Sequence, residues 1–286
     1  MSDFERIRYE QPAPGIARIV LARVEAANAQ DRKMLYEIDD ALCRAMKDDA
    51  IKVVIVAADG PNFSGGHDIR EQWSDGEHEP VTQWTGGYEQ GGQAGHMALE
   101  EEIYLGLCWR WRNLPKPTIV QVQGICIAGG LMLVWPFDIV IASEDAVFSD
   151  PVVAAGVNGH EFFTHAWELG ARKAKEMLFT GGAFTAAECH RLGMVNHVVE
   201  REELSDFTLE LAKKIAARPA MGLRLAKLAV NQSLDAQGQW NAVQSAFSLH
   251  HLGHAHARIL YGSPVEPTAF EQIRREAKEG KGGKSS

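Results

Sequence analysis

Two glycine-containing stretches decide the fold of this 286-residue chain: residues 63–69, FSGGHDI, and residues 123–131, QGICIAGGL. Each lies downstream of a short β-branched run, residues 52–57 and 117–122, which is typical of a buried strand. Paired glycines let a backbone approach a ligand where a side chain would clash. The second stretch is also predicted to open a helix, whose first N–H groups favour negative charge.

Outward from these stretches, strands and helices alternate, and the chain becomes mostly helical from about residue 161. The pattern predicts a hairpin of residues 4–10 and 16–22, a helix over 31–49 capped by Asp31, and strands at 138–143, 146–148 and 195–199. The later helices are predicted at Arg172–Phe179, Ala186–Leu192, Glu202–Ala217, Pro219–Leu234 and Gln239–Tyr261.

Two segments depart from this alternation. Residues 74–96 contain six glycines and are expected to form a mobile surface segment, a candidate lid over a site. Residues 279–286 contain only Gly, Lys and Ser after Glu279, so we expect a disordered tail.

Composition excludes several classes of partner. The net charge of −9 argues against nucleic acid and anionic membranes, which need a basic face, but not against a small anionic ligand. The most apolar stretch, residues 125–137, is too short to span a bilayer, and the first residues have no apolar signal region. Four scattered cysteines without a CxxC pair indicate a reduced, cytoplasmic protein.

The two glycine stretches also carry a family resemblance. Residues 63–69 resemble the loop F-[SC]-[AG]-G-x-D-[LI] of the crotonase (enoyl-CoA hydratase/isomerase) superfamily, and residues 123–131 resemble its N-G-x-A-x-G-G-G segment. Shorter similarities to family motifs occur in the family's order at residues 21–29, 148–151, 186–195 and 226–231. The resemblance therefore covers nearly the whole chain.

This resemblance implies an α/β fold. A crotonase-like spiral of ββα units would occupy residues 1–200, and a C-terminal helical trimerisation region would occupy residues 201–278. It also implies a homotrimer or homohexamer that acts on an acyl-CoA thioester. Coenzyme A would then be part of the substrate, and no separate cofactor is expected.

The resemblance further assigns the site. The backbone N–H groups of His67 and Gly129 would donate to the thioester oxygen, and losing one such donor typically costs roughly 100- to 1,000-fold in rate. The coenzyme would lie along two loops, and its predicted contacts are Arg23, Ala26, Ser64, Gly65, Gly66, Asp68 and Ile69. Arg23 is either a phosphate contact or a solvated surface charge. Asp68 is expected to fix its loop through hydrogen bonds, and the His67 imidazole to be a bystander.

The chain departs from the family at the catalytic glutamates. Hydratases of this family place one glutamate where this chain has Met132 and another where it has Val152, and neither residue can move a proton. Other branches of the superfamily place an acidic residue further along. His160 aligns with that position, and Glu161 follows it. Either is a candidate base; the alternatives are a loop histidine and a first-turn helix carboxylate.

Three functions follow from this pattern. The first is an enzyme that passes through a thioester enolate, in an isomerase, hydrolase or decarboxylase reaction, or in hydration with atypical water activation. The second is a non-catalytic acyl-CoA binder. The third, a nucleic-acid-binding member, is disfavoured by the acidic composition.

A histidine cluster near the C-terminus adds a separate question. His250 and His254 have the i,i+4 spacing of metal ligands on a predicted helix. The chain has no HExxH motif and no cysteine near these residues, so a polar helix face or subunit contact is favoured and no metal is predicted.

Overall fold

The computed structural model describes residues 4–69, 78–82 and 91–282, with residues 276–282 by their backbone alone. Nine strands form two sheets in this part of the chain. The six-stranded sheet has the order β1-β2-β3-β4-β6-β9, and the smaller sheet has the order β5-β7-β8. The strands are β1 (Ile7–Ala13), β2 (Ile16–Leu21), β3 (Val53–Ala58), β4 (Thr118–Val122), β5 (Ile125–Ile127), β6 (Ile139–Ser143), β7 (Val147–Ser149), β8 (Phe184–Thr185) and β9 (His197–Val199).

The helices of the described residues are α1 (Arg32–Lys47), α2 (Gly92–Glu100), α3 (Leu107–Arg112), α4 (His165–Thr180), α5 (Ala186–Leu192), α6 (Leu204–Ala216), α7 (Ala220–Ala236), α8 (Gln239–Tyr261) and α9 (Ala269–Gly282). Short 3-10 turns occupy Val24–Ala26, Ala128–Leu133, Val152–Ala155 and Arg201–Glu203, and one π-helical turn, Glu101–Gly106, joins α2 to α3. No helix among the described residues is long and apolar enough to cross a membrane.

The large sheet is buried on both faces. Its strands are parallel except for the β1–β2 hairpin, which explains the continuous β-branched runs. Side chains alternate between faces, so Val53 and Ile55 pack towards Leu204 of α6, while Val54 and Val56 join the main core with α1. Helix α8 contributes to that same main core, and all elements after β9 are helical.

Helix α1 begins where the sequence predicts. The Asp31 carboxylate accepts a hydrogen bond from the Met34 backbone N–H at 2.8 Å, which confirms the predicted cap. The hairpin turn differs from its prediction, because residues 11–13 belong to β1 and not to the turn. A register shift between Glu10 and Ala13 accommodates Pro12 on this edge strand.

Three other predictions differ from the structure. Helix α4 begins at His165, seven residues before the predicted Arg172, and is kinked at Gly170. Most of the predicted lid lies outside the described residues, but residues 92–96 are helical in α2. The predicted tail is wrong for residues 279–282, which continue α9, because extending an existing helix needs no new nucleation. Residues 283–286 lie outside the described part.

Candidate active site

The two glycine stretches meet side by side. Ser64 and Cys126 form a parallel bridge, as do Gln30 and His67. Gly124 turns the chain between β4 and β5 with φ +57°, and a Cβ there would lie 2.1 Å from the carbonyl oxygen of Pro61. Only glycine fits this turn, which is the step that brings β5 against the first stretch.

Glycine is also required where the loops touch. Gly66 has φ +91°, and a Cβ on it would lie 3.0 Å from the Ile127 carbonyl oxygen and 3.5 Å from the Gly129 nitrogen. A Cβ on Gly129 would lie 2.5 Å from Cε1 of the His67 imidazole. The main chains around residues 66 and 129 therefore approach each other closely, and the His67 imidazole packs against Gly129.

Two backbone N–H groups are left available at this contact. Gln30 N donates to Gly66 O at 2.8 Å and Asp68 N donates to Gln30 O at 2.8 Å, so the bridge does not use the N–H of His67. Gly129 lies in the first turn of a 3-10 helix, where N–H groups have no intrahelical acceptor. Neither amide donates to another backbone or side-chain group within residues 4–69, 78–82 and 91–282.

Polar side chains hold the two loops in place. The Gln30 amide nitrogen donates to the Gly129 carbonyl oxygen at 2.6 Å. The Ser64 hydroxyl donates to Asn28 O at 2.9 Å and accepts from Gly66 N at 3.2 Å. Because these bonds fix the peptide planes, they fix the directions of the two available N–H groups.

The Arg23 side chain is largely buried and forms ion pairs, so it is not a solvated surface charge. Its guanidinium contacts the Asp68 carboxylate at 2.8 Å and the Asp31 carboxylate at 3.2 Å, and donates to Ala29 O at 2.7 Å. Its side chain is 14% exposed. The expectation that Asp68 fixes its loop by hydrogen bonding agrees with this geometry, and contact of Arg23 with a phosphate stays a prediction.

The remaining predicted coenzyme contacts lie along one edge. Gly65 N donates to Ala27 O at 2.9 Å, which joins the 64–69 loop to the turn that contains Ala26. Gly65 is exposed, Ala26 is half-buried and Ile69 is 55% exposed. The structure therefore brings the two predicted coenzyme-binding loops together at the surface.

A cavity of about 280 Å³ opens beside the two amides. His67, Gly129, His160 and Glu161 all line it. Its apolar lining is formed by Ile103, Val152, Ala155, Val157, Val265 and Phe270. A mainly apolar cavity with a few converging polar groups is the usual form of a small-molecule site.

Glu161 presents a buried carboxylate to this cavity. Its Oε2 lies 3.2 Å from Nε2 of His67, and its Oε1 lies 3.5 Å from Nε2 of His250. Burial raises the pKa of Glu161, but the His67 imidazole lowers it more, so the net shift is downward. Burial likewise lowers the pKa of His67, and the Glu161 carboxylate outweighs it upward. Glu161 is therefore ionised at neutral pH.

The His67 imidazole has close neighbours in the site, and its expected role as a bystander stays a prediction. Its ring stacks on Tyr104 with centroids 4.0 Å apart and lies over Gly129. Tyr104 belongs to the π-helical turn after α2, a feature that is frequent at functional sites. The ring thus lies between the backbone of Gly129 and the Glu161 carboxylate.

Comparison with known proteins agrees with this geometry. The family model for enoyl-CoA hydratase/isomerase matches residues 11–259. The chain belongs to this family, and so to the crotonase superfamily. EchA13 of Mycobacterium tuberculosis is 44% identical over 91% of this chain and 86% of its own length.

Solved structures show the same fold. A probable enoyl-CoA hydratase from Mycobacterium smegmatis has 48% identity and a TM-score of 0.83, covering 91% of this chain and 99% of its own. An enoyl-CoA hydratase/isomerase from Xanthobacter autotrophicus Py2 has 30% identity and a TM-score of 0.80, covering 97% and 95%. The predicted crotonase-like α/β fold with a C-terminal helical region is confirmed.

In this crotonase, His160 is a poor base. Its backbone N donates to Asp150 Oδ2 at 2.9 Å, but both ring nitrogens lack a hydrogen-bond partner among the described residues. Burial, helped by the charge of His165, lowers the pKa of His160 to about 3. A ring that stays neutral and binds protons so weakly lines the cavity without accepting a proton near neutral pH. Of the two predicted bases, Glu161 is the one whose side chain is held by an ion pair at this cavity.

The two substituted glutamate positions have different surroundings. Val152 lines the cavity, whereas Met132 is 1% exposed and packs in the main core. The cavity wall is therefore apolar at residue 152, and residue 132 contributes no acid to it. The carboxylates that do reach this cavity are Asp68, Glu100 and Glu161.

Sequence reasoning missed Glu100 and Tyr104. Glu100 lies at the end of α2 and is 5% exposed, with its Oε1 2.9 Å from Nε2 of His96. The available signal was the i,i+4 spacing of His96 and Glu100 next to the Gly-rich segment. No motif marks Tyr104, which reaches the site through packing alone.

A larger cavity of about 500 Å³ lies elsewhere, between α7 and the β6 edge of the sheet. Arg112, Glu168 and Lys227 line it, and it contains none of the predicted site residues. Burial raises the pKa of Glu168 to about 7. Size alone would select this cavity, but the available amides of His67 and Gly129 and the Glu161 carboxylate all line the smaller one.

Proposed function

We propose that this crotonase is an acyl-CoA-processing enzyme in which the N–H groups of His67 and Gly129 stabilise a thioester enolate and Glu161 transfers the proton. The observation that carries the proposal is that a buried, ionised carboxylate and two available backbone amides line one cavity. An acyl-CoA thioester is the substrate class expected from the family. Coenzyme A enters as part of the substrate.

Isomerisation of an enoyl-CoA is the reaction that this arrangement fits best. Glu161 takes a proton from the carbon beside the thioester carbonyl, and the electron pair of the broken C–H bond moves to the carbonyl oxygen. The two amides bind that oxygen, where each donor is worth roughly 100- to 1,000-fold in rate. Return of the proton to the far end of the conjugated system shifts the double bond, so one carboxylate serves as base and acid.

His67 positions this carboxylate. Its imidazole, stacked on Tyr104, lies 3.2 Å from Glu161 Oε2 and restricts the carboxylate to one side of the cavity. The apolar wall around Val152 keeps the enolate away from bulk water, which strengthens the electrostatic interactions within the site.

A hydratase with atypical water activation is the second candidate. It is favoured by Glu100 and His250, which line the same cavity as Glu161 and offer polar atoms to a water molecule. A non-catalytic acyl-CoA binder would use the two amides without the carboxylate. The three functions differ in what happens at the α-carbon of a bound thioester.

Exchange of the α-protons in D₂O tests the proposal. Wild type should exchange deuterium into a panel of saturated and 3-enoyl-CoA esters, measured by mass spectrometry, and Glu161→Gln should slow this exchange at least about 100-fold while binding is retained. Glu202→Gln, an exposed carboxylate on a 3-10 turn, is the matched control. Exchange that Glu161→Gln leaves intact refutes the base assignment, and 3-hydroxyacyl-CoA as the main product supports hydration.

We also propose that the chain assembles as a homotrimer or a pair of trimers, as the family resemblance implies. Helices α7 and α8 expose apolar side chains, a pattern that marks interaction surfaces. These are Met221, Leu225, Val230, Leu249, Leu252, Ile259 and Leu260. Light scattering of the full chain measures the assembly, and a monomer at working concentration would contradict it.

A further inference from the structure

A group of ionisable side chains beside the proposed active site takes no part in the proton transfer described above. Glu100 of α2 faces three histidines of α8, and its Oε2 lies 3.8 Å from Nε2 of His250, 3.2 Å from that of His251 and 3.5 Å from that of His254. Glu100, His250 and His254 line the 280 Å³ cavity together with His67 and Gly129.

These three ring nitrogens are buried and lie within 3.8 Å of one carboxylate oxygen. All four residues are at most 5% exposed. Oε2 of Glu100 and Nε2 of each histidine have no hydrogen-bond partner among the described residues. Buried polar atoms are almost always satisfied, so Nε2 of His250 and Nε2 of His254, which lie beside the same carboxylate, call for an additional partner.

The opposite ring nitrogens decide which histidines present a lone pair. Nδ1 of His250 lies 2.8 Å from the Gly159 carbonyl oxygen, and Nδ1 of His254 lies 2.6 Å from that of Pro264. A carbonyl only accepts, so each Nδ1 carries the hydrogen, and in the neutral ring each Nε2 presents a lone pair. Nε2 of His250 lies 3.5 Å from Glu161 Oε1 and 3.8 Å from Glu100 Oε2. Metal-binding histidines are commonly oriented in this way.

His251 has the opposite tautomer. Its Nδ1 lies 3.0 Å from the amide nitrogen of Gln93, whose amide oxygen accepts from Arg258 at 3.0 Å, so Nδ1 is the acceptor. Nε2 of His251 therefore carries a hydrogen towards Glu100 and acts as an orienting donor. Glu100, His250 and His254 therefore form a triad of candidate metal ligands, and His251 is not one of them.

The triad places lone pairs against a carboxylate, and only a cation between them removes the repulsion. The two separations, 3.5 and 3.8 Å, lie near the edge of about 3.4 Å of a tetrahedron with bonds of 2.0–2.1 Å. A close helix contact supports this placement. A Cβ on Gly253 would lie 2.5 Å from the Gly156 carbonyl oxygen, so α8 packs directly on the loop that carries Gly159.

We propose that Glu100, His250 and His254 bind one divalent transition-metal ion of the zinc or iron(II) class. Two imidazoles and one carboxylate suit these ions, whereas Mg²⁺ and Ca²⁺ prefer oxygen ligands throughout. Three protein ligands leave a coordination position open, and all three line the cavity beside Gly129. The inference rests on these residues and not on the proposed isomerase reaction.

A proton is the competing cation. Burial lowers the pKa of His250 and disfavours protonation there. Burial also lowers the pKa of His254, but the Glu100 carboxylate outweighs it upward, so a protonated His254 beside Glu100 is the metal-free alternative. The metal-bound triad and the protonated His254 differ in metal content and in the visible absorption of the protein after Co²⁺ is added.

Metal titration of the full-length chain tests the proposal. After dialysis against chelator, wild type should take up one equivalent of Zn²⁺ or Co²⁺, measured by elemental analysis and calorimetry, and Co²⁺ should give a visible ligand-field spectrum. Glu100→Gln and His254→Ala should each weaken Zn²⁺ binding at least about tenfold, since even outer-shell changes cost 10- to 100-fold. Glu100→Gln is nearly isosteric and serves if His254→Ala fails to fold.

His256→Ala is the matched control, because His256 is exposed on the same helix and outside the triad. It should retain one equivalent. The proposed metal site is wrong if wild type takes up no more Zn²⁺ than Glu100→Gln. It is also wrong if His256→Ala and His254→Ala lose equal amounts of Zn²⁺ binding. If the metal-free chain still exchanges deuterium, the roles assigned to the two amides and to Glu161 are unaffected. The metal site and the proposed function can therefore fail separately.

Discussion

The contact between Gly129 and His67 gives the most direct test of how the site is built. A Cβ at residue 129 would lie 2.5 Å from Cε1, 2.7 Å from Nδ1 and 2.9 Å from Nε2 of the imidazole, all shorter than real Cβ contacts. The ring is held by its stack on Tyr104 and by Glu161, so in Gly129→Ala either the ring or the backbone of residue 129 must move.

The expected magnitudes follow from these distances. Overpacking of a buried contact costs about 1–3 kcal/mol of unfolding free energy. A displaced oxyanion donor lowers kcat by roughly 100-fold, or about 2.7 kcal/mol in the transition state. His67→Ala removes the ring and makes room for the Cβ, so the added cost of Gly129→Ala in that background should fall below about 0.5 kcal/mol.

Denaturant unfolding of the two single variants and the double variant measures this coupling. Gly222→Ala is the control, because a Cβ there meets nothing within 4 Å and α7 should gain about 0.5–1 kcal/mol from alanine. Equal costs of Gly129→Ala with and without His67 would show that the imidazole does not lie over residue 129. The assignment of Gly129 as a donor would then lose its geometric basis.

Three further predictions concern protonation. The pKa of His67 is raised and that of Glu161 is lowered, so their mutual stabilisation should be present between about pH 4.5 and 6.5 and lost on either side. His67→Gln should therefore reduce the unfolding free energy most inside that window. A loss of unfolding free energy that does not depend on pH would contradict the pairing. The pKa of His160 is lowered to about 3, so its ring resonances should not titrate between pH 8 and 5 in NMR spectra, where a midpoint near 6.5 would be the contrary result. The pKa of Glu168 is raised to about 7, which destabilises the fold as pH rises above 4.5. Glu168→Gln should therefore raise the unfolding free energy by about 1–2 kcal/mol at pH 8 and little at pH 5, and equal effects at both would argue against a buried, neutral carboxyl group.

How much of the site could be read from the sequence depends on the kind of group. Seven of the nine strands in the described residues, the cap at Asp31 and the two glycine stretches were predicted, because each depends on neighbouring residues and on backbone geometry. The short strands β5 and β8 were not predicted. Most of the predicted lid lies outside the described residues. The tail prediction was wrong at residues 279–282, where composition indicated disorder but the chain continues an existing helix.

The sequence by itself determined the backbone part of this protein. Paired glycines permit a close approach of two backbones, and the motifs at residues 63–69 and 123–131 indicated the family. The two predicted N–H donors follow from that resemblance. The partners of the buried charged side chains were decided only by the tertiary structure. The Glu161 carboxylate meets an imidazole 94 positions away, and Glu100 meets His254 of a distant helix. The direction of a backbone amide is set by local dihedral angles, whereas the state of a carboxylate is set by which distant side chains are buried against it.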